Sequence, residues 1–257
     1  MHSWSYSSSI WEYQFQRFLD AGFRCVAMDR RGHGRSDEPG VGYDLDTLAD
    51  DLAGLFEHLD LRGVTLVGHS MGTMEITRYL ARHGTTRVTG AAYLGAMTPY
   101  LAKSDDNPGG LEPHFLDAII RALKEDRPKW FSDGAPAYFA TGTTGSWVSE
   151  ALVDDAIQSI LRTPLEVQIA CLRIVFGSDL RAELRSIEIP TLVLHGDADV
   201  SAPIDLTGRP TAALLPNSRL LVYPGAPHGL YVTERDRITN DLLEFARAGV
   251  GQPRLAG

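Results

Sequence analysis

A chain of 257 residues, 44% of them hydrophobic, is long enough for one catalytic domain with an inserted subdomain and short for two independent folds. Its formal charge of -9 supplies no basic face to neutralise phosphates, which excludes a nucleic-acid partner. No run approaches the ~18 apolar residues of a membrane span, and the start lacks a basic, then apolar, secretory signal. Cys25 and Cys171 show no metal or redox spacing, so the expectation is a cytoplasmic protein with buried thiols.

Short apolar runs alternate with helical stripes along the chain, which predicts an α/β fold with a mostly parallel central sheet flanked by helices. Trp11, Phe15, Phe18 and Leu19 recur at the spacing of one helix face, and Arg24 to Met28 follows as the first strand. Leu45, Leu48, Leu52, Leu55, Phe56 and Leu59 form a second helical stripe ahead of a strand at Val64 to Val67. The next helix ends at His83 and Gly84, where glycine supplies a left-handed cap, and Val88 to Leu94 reads as a strand. From Met97 to about Ile187 the rhythm changes to a loop rich in Pro, Gly and Asp and then to helical segments. That predicts a helical cap over 97–187, inserted into a core formed by 1–96 and 188–257. Pro190 to His195 and Arg219 to Tyr223 complete the strands.

The chemistry concentrates in three turns. Val64 to Val67 runs directly into Gly68-His69-Ser70-Met71-Gly72 and then into a helix. A serine between small glycines on a strand-to-helix turn is exposed as a nucleophile, and the helix start directs free N–H groups at a developing oxyanion. A serine hydroxyl needs a base, and the base needs an orienting carboxylate. Both follow in the order acid then histidine, at the ends of later strands. Asp197 and Asp199 lie after Leu192 to Gly196, and His228 lies after Leu220 to Pro227. Asp199 and Asp197 are alternatives for the acid; turn formation is the other role open to Asp197. The histidines show no metal-binding spacing, and the Asp29 to Ser36 loop lacks the lysine and third glycine of nucleotide loops. Neither a metal nor a cofactor is expected.

These features resemble the α/β-hydrolase superfamily, and most closely its bacterial aryl-esterase and cofactor-free haloperoxidase branch. The resemblance runs from Trp11 to the last helix through Trp11-Glu-Tyr-Gln, Asp29-Arg-Arg-Gly-His-Gly-Arg-Ser-Asp37, Tyr43-Asp, Gly68-His-Ser-Met-Gly72, His195-Gly-Asp-Ala-Asp199 and Ala226-Pro-His-Gly229. It implies that Ser70 is the nucleophile, His228 the general base and Asp199 the acid, with Pro203 four positions beyond. It also implies oxyanion donors at the N–H of Met71 and, after the His2-Ser3 pair, of Trp4. Ser3 and Thr73 stand where relatives carry glycine. Relatives carry two antiparallel strands and a central parallel strand ahead of the position of His2, so the expectation is a sheet lacking its N-terminal strands and a truncated start.

The expected activity is hydrolysis of small aryl or short-chain esters, or of lactones, with peracid formation as a side activity when hydrogen peroxide accepts the acyl group. Tyr100, Trp130, Phe131, Tyr138 and Phe139 from the cap, together with Trp4, are candidates for an apolar substrate pocket, although aromatic residues so spaced also suit the cap's own core. Ser201 and Ala202, small and beside the acid, are candidates for the acyl end. Serine at position 70 excludes the dehalogenases and epoxide hydrolases of this fold that use aspartate. Carbon–carbon bond hydrolases and lyases with the same triad, and a non-catalytic binding protein on this scaffold, remain open. A small-molecule partner and a possible homo-oligomer complete the expectations.

Overall fold

The computed structural model describes residues 1–143 and 146–250, apart from the side chain of Val250. Helix α1 (Glu12–Asp20) follows a short 3-10 turn at Ser8–Trp11, and α2 (Leu45–His58) starts at Asp44, whose carboxylate accepts from the Thr47 N–H at 2.9 Å. Strands β1 (Val64–His69), β2 (Val88–Leu94), β3 (Thr191–Gly196) and β4 (Ser218–Tyr223) form one parallel sheet in the order β1-β2-β3-β4.

Helix α3 (Met71–His83) makes the crossover from β1 to β2 and ends at Gly84, whose φ of +76° suits glycine. Both faces of the sheet are covered, so its strands are apolar on both sides. Ala91, Tyr93 and Val193 join the core under α2 and α3, while Ala92, Leu94, Leu192 and Leu194 join the larger core on the opposite face.

Between β2 and β3 the described chain is helical apart from isolated bridges. Helix α4 (Pro113–Phe139) is two helices joined at Asp126, a non-helical residue that caps the second through the Lys129 N–H ahead of Pro128. Then come α5 (Glu150–Leu161), α6 (Leu165–Gly177) and α7 (Arg181–Ser186). The last of these packs against α3 and α8 (Gly208–Leu214), with the helices that cover the sheet. After β4 come α9 (Leu230–Thr233) and α10 (Arg235–Val250), the latter packed on β2 and α1.

One predicted strand is absent. Arg24 to Met28 is in no strand and pairs with none of the four strands of the sheet. A groove of about 450 Å³ separates it from β1, lined by Phe15, Phe18, Phe23, Leu52, Phe56 and Leu66 among others. Near this edge, the Met1 carbonyl accepts from the His69 N–H at 3.1 Å.

Candidate active site

The C-terminal ends of β1, β3 and β4 all point to one edge of the sheet, and each delivers one reactive side chain there. Ser70 occupies the single residue between β1 and α3 with φ +57° and ψ -122°, a backbone conformation that costs a non-glycine residue about 1–3 kcal/mol. The turn is tight enough to require both flanking glycines. A Cβ on Gly68 would stand 2.8 Å from the backbone of Gly72, and one on Gly72 would stand 2.7 Å from the Met1 carbonyl oxygen. Thr73 closes the turn: its N–H and its hydroxyl both donate to the Ser70 carbonyl, at 2.9 and 2.7 Å, and the hydroxyl accepts from the Met97 N–H at 3.2 Å.

His228 lies 3.0 Å through Nε2 from the Ser70 hydroxyl oxygen and 2.6 Å through Nδ1 from Asp199 Oδ2. A carboxylate only accepts, so Nδ1 carries the proton and Nε2 offers its lone pair to the serine hydroxyl. All three residues are buried. Burial alone would raise the Asp199 carboxyl, but the electrostatic pull and hydrogen bond of His228, together with the nearby His195 ring, outweigh it and hold the carboxyl below its ordinary value. Its other oxygen accepts from the N–H groups of Ser201 and Ala202, at 2.9 and 2.7 Å. Asp197 sits in the same turn with a different task, accepting from the Gly225 N–H at 2.6 Å.

Two further histidines support this set. His69 Nε2 donates to the carbonyl of His228 at 2.9 Å, and burial, followed by electrostatic competition with the adjacent His228 ring, pushes the His69 imidazole well below its usual range. His195 Nε2 donates to the Ala202 carbonyl at 2.8 Å and lies 3.5 Å from Asp199 Oδ2. Sequence reasoning missed both supports, because a histidine's partner across the fold leaves no local pattern.

Above the serine is a pocket of about 380 Å³. Trp4, Trp130, Phe131, Tyr138, Phe139 and Ser201 from the sequence candidates line it, as do Ser70 and His228. The Trp4 indole donates to the Gln168 carbonyl at 2.8 Å and packs on Trp130 and Phe131, and the Tyr138 ring meets His228 edge-on at 5.3 Å. Two candidates lie elsewhere. Tyr100 turns away from the pocket, with the Arg181 guanidinium 5.3 Å from its ring centre. Ala202 is fully buried beneath the acid turn, spending its N–H on Asp199 and its carbonyl on His195. In compensation Tyr6, Ile157, Ile160, Leu172 and Val175 complete the wall. Nothing local in the sequence marks those on α5 and α6 as pocket-lining.

Met71 opens α3, and its N–H at the helix start has no carbonyl one turn earlier to meet and can face an anion. A nucleophile, a base oriented by an acid, and a helix start at the mouth of an apolar cavity can together carry out acyl transfer. Among the described residues no three His, Cys, Asp or Glu side chains gather as a metal site.

Comparison with known proteins places the chain in a family. Residues 1–234 match the family model of the alpha/beta hydrolase fold. The chain is 40% identical to the non-heme chloroperoxidase CPO-A1 of Kitasatospora aureofaciens over 95% of its own length and 90% of the relative's. It is 36% identical to the bifunctional esterase/perhydrolase DCH of Acinetobacter calcoaceticus, over 96% and 90%. The crystal structure of a bromoperoxidase from Bacillus anthracis superposes with a TM-score of 0.91 at 35% identity, over 96% and 90% of the two chains. A fold, a family model and relatives of this extent lead to one statement: the chain belongs to the α/β-hydrolase family, as an enzyme on the branch that holds the non-heme haloperoxidases and esterases.

Proposed function

We propose that this protein is a carboxylic-ester hydrolase that cleaves small aryl or short-chain esters, or lactones, through an acyl-enzyme on Ser70. The observation that carries the reading is the unbroken relay from Ser70 to His228 at 3.0 Å and from His228 to Asp199 at 2.6 Å, opening on an apolar pocket. His228 takes the proton as Ser70 attacks the ester carbonyl, and the negative charge falls on the carbonyl oxygen, held by the N–H groups of Met71 and Trp4. Collapse expels the alcohol, which receives its proton from His228. Water then enters, loses a proton to His228 and releases the acid, regenerating Ser70.

The pocket's 380 Å³ lies near the lower end of the ~300–1,000 Å³ range of small-molecule sites, which favours a single-ring or short acyl ester over a triglyceride. The names of the relatives favour a second acceptor: with hydrogen peroxide in place of water the same acyl-enzyme would release a peracid, as expected of a relative named an esterase/perhydrolase. Neither cycle calls on a redox group.

A fluorophosphonate probe, which phosphonylates an activated serine, tests the reading. Labelling that disappears in both Ser70→Ala and His228→Ala, with hydrolysis of p-nitrophenyl acetate lost in parallel, is the expected result. A folded wild-type chain that takes no label would instead favour a binding protein on a hydrolase scaffold.

A further inference from the structure

The loop from Asp29 to Ser36, prominent in the sequence, has no part in the acyl-transfer cycle, yet it contains Arg30, a large and fully buried side chain. Its counter-ion, Glu75, is on the second turn of α3, five residues after Ser70, and both side chains are wholly shielded from solvent. Taking two charges out of water costs several kcal/mol per ion, and an apolar pair of similar volume is often at least as stabilising. The arrangement of the guanidinium points to what the pair does.

Arg30 Nε donates to Glu75 Oε1 at 2.7 Å, and Nη2 also donates to that oxygen. The remaining bonds run to the segment that enters the pocket: Nη2 to the His2 carbonyl at 2.8 Å and Nη1 to the Ser3 carbonyl at 3.3 Å. The Arg30 backbone N–H donates to His2 Nε2 at 2.9 Å. An N–H cannot accept, so His2 carries its proton on Nδ1 and donates it to the same Ser3 carbonyl, at 2.8 Å. Two donors therefore converge on the Ser3 oxygen. That oxygen belongs to the peptide unit whose other end is the Trp4 N–H. A trans peptide is planar, so a carbonyl pinned on one side fixes the N–H pointing to the other. A cation on the carbonyl also polarises the unit and strengthens the N–H as a donor.

We propose that Arg30 and Glu75 are positioning residues that set the two oxyanion donors relative to one another, Glu75 anchoring the pair to the helix that begins with Met71 and Arg30 aiming the Trp4 N–H through the Ser3 carbonyl. The inference rests on the proposed ester hydrolysis for its catalytic consequence but not for its structural content. Neither residue touches the reacting atoms; both act through the backbone of residues 2–4.

The double variant Arg30→Met/Glu75→Leu separates positioning from packing, because it removes both charges together and leaves neither one stranded. The expected result is a thermal midpoint close to wild type, with kcat on p-nitrophenyl acetate reduced about 10²-fold to 10³-fold, as for the loss of one oxyanion donor, at nearly unchanged KM. A trifluoromethyl ketone, whose adduct places an anionic oxygen at the same point, should lose affinity by the same factor as kcat/KM. Arg30→Lys keeps the charge without the two-armed fork and should recover only part of the rate. A folded double variant with wild-type kcat and ketone affinity overturns the proposal.

Backbone amide hydrogen exchange over residues 2–6 gives a second readout, independent of activity. Faster exchange there in the double variant, with α3 unchanged, supports the proposal; unchanged exchange overturns it. A wild-type chain that neither takes up the fluorophosphonate nor hydrolyses the ester would defeat the ester-hydrolase reading alone, and the exchange experiment would still decide this one.

Discussion

Two cavities among the described residues are similar in size and opposite in construction. The groove beside β1 is the larger, about 450 Å³ against about 380 Å³ for the pocket over Ser70. One wall of the groove is the edge of a strand and the other is the unpaired segment Arg24 to Met28, so backbone groups that call for hydrogen bonds border it. The pocket over Ser70 is walled largely by helices, whose backbone bonds are internal and whose side chains alone face the space. A helix-walled cavity can be apolar and open at little cost, whereas an open strand edge cannot. Volume is therefore a poor guide to function here; what distinguishes the pocket is that the hydrogen-bonded pair Ser70 and His228 opens into it.

The most severe test of that distinction is removal of the Ser70 hydroxyl or the His228 ring. Ser70→Ala and His228→Ala should each lower kcat on p-nitrophenyl acetate by about 10⁴-fold or more, while Leu66→Val, in the wall of the groove, should leave it within about twofold. A large loss of kcat from the groove variant in a stable protein would erase the contrast.

Acid sharpens the contrast, because the buried histidines cluster on the catalytic side and none lines the groove. Burial, followed by the charge of Arg30, holds His2 well below its ordinary value and His33 down at about 3; His69 is lowered by burial and by His228. As pH falls below about 6.5, the unfolded chain binds protons that these folded histidines refuse, so stability falls by about 1.4 kcal/mol per pH unit for each of them. Asp199 acts differently: its lowered carboxyl adds stability above the ordinary carboxylate value, and that contribution is lost only below about pH 4. Thermal unfolding should therefore show a midpoint that drops steeply between pH 6.5 and 4.5, and His33→Asn should remove about a third of the slope. A flat profile would mean that these rings take up protons in the folded state.

A milder test narrows the pocket. Ala135→Phe adds a ring to its wall and should raise KM for a p-nitrophenyl butyrate probe about tenfold, more than for the acetate, with kcat little changed. Equal effects on both esters would place the acyl chain elsewhere. The smallest effect concerns Cys25, which lines the groove and is partly exposed, whereas Cys171 is buried and its thiol pushed up to about 12 by burial. A maleimide at pH 8 should modify one thiol per chain, at Cys25, without changing kcat.

Legibility from sequence divides along the same line. The strands from Val64 onward, the glycine-flanked serine, the acid turn and His228 were readable because each depends on residues adjacent in the chain. Arg24 to Met28 has the composition of a strand, but a strand also needs a neighbour, and composition does not report one. The cavity wall on α5 and α6 was invisible for a related reason: an apolar side chain on a helix looks the same whether it faces a core or a void. Tyr100 shows the converse, an aromatic residue drawn away from the pocket by an arginine 81 positions away in sequence. The bond from His69 to His228 and the Arg30–Glu75 pair lie beyond local pattern altogether.

The backbone of Ser70 has a consequence for any attempt to harden this protein. Its φ of +57° lies in the region where glycine is at ease and every other residue is strained. A selection for heat resistance that does not also demand turnover will therefore favour Ser70→Gly, and the fittest clone will be an inert one. Durability and reactivity compete at this single position, so directed evolution of the protein has to screen for both at once.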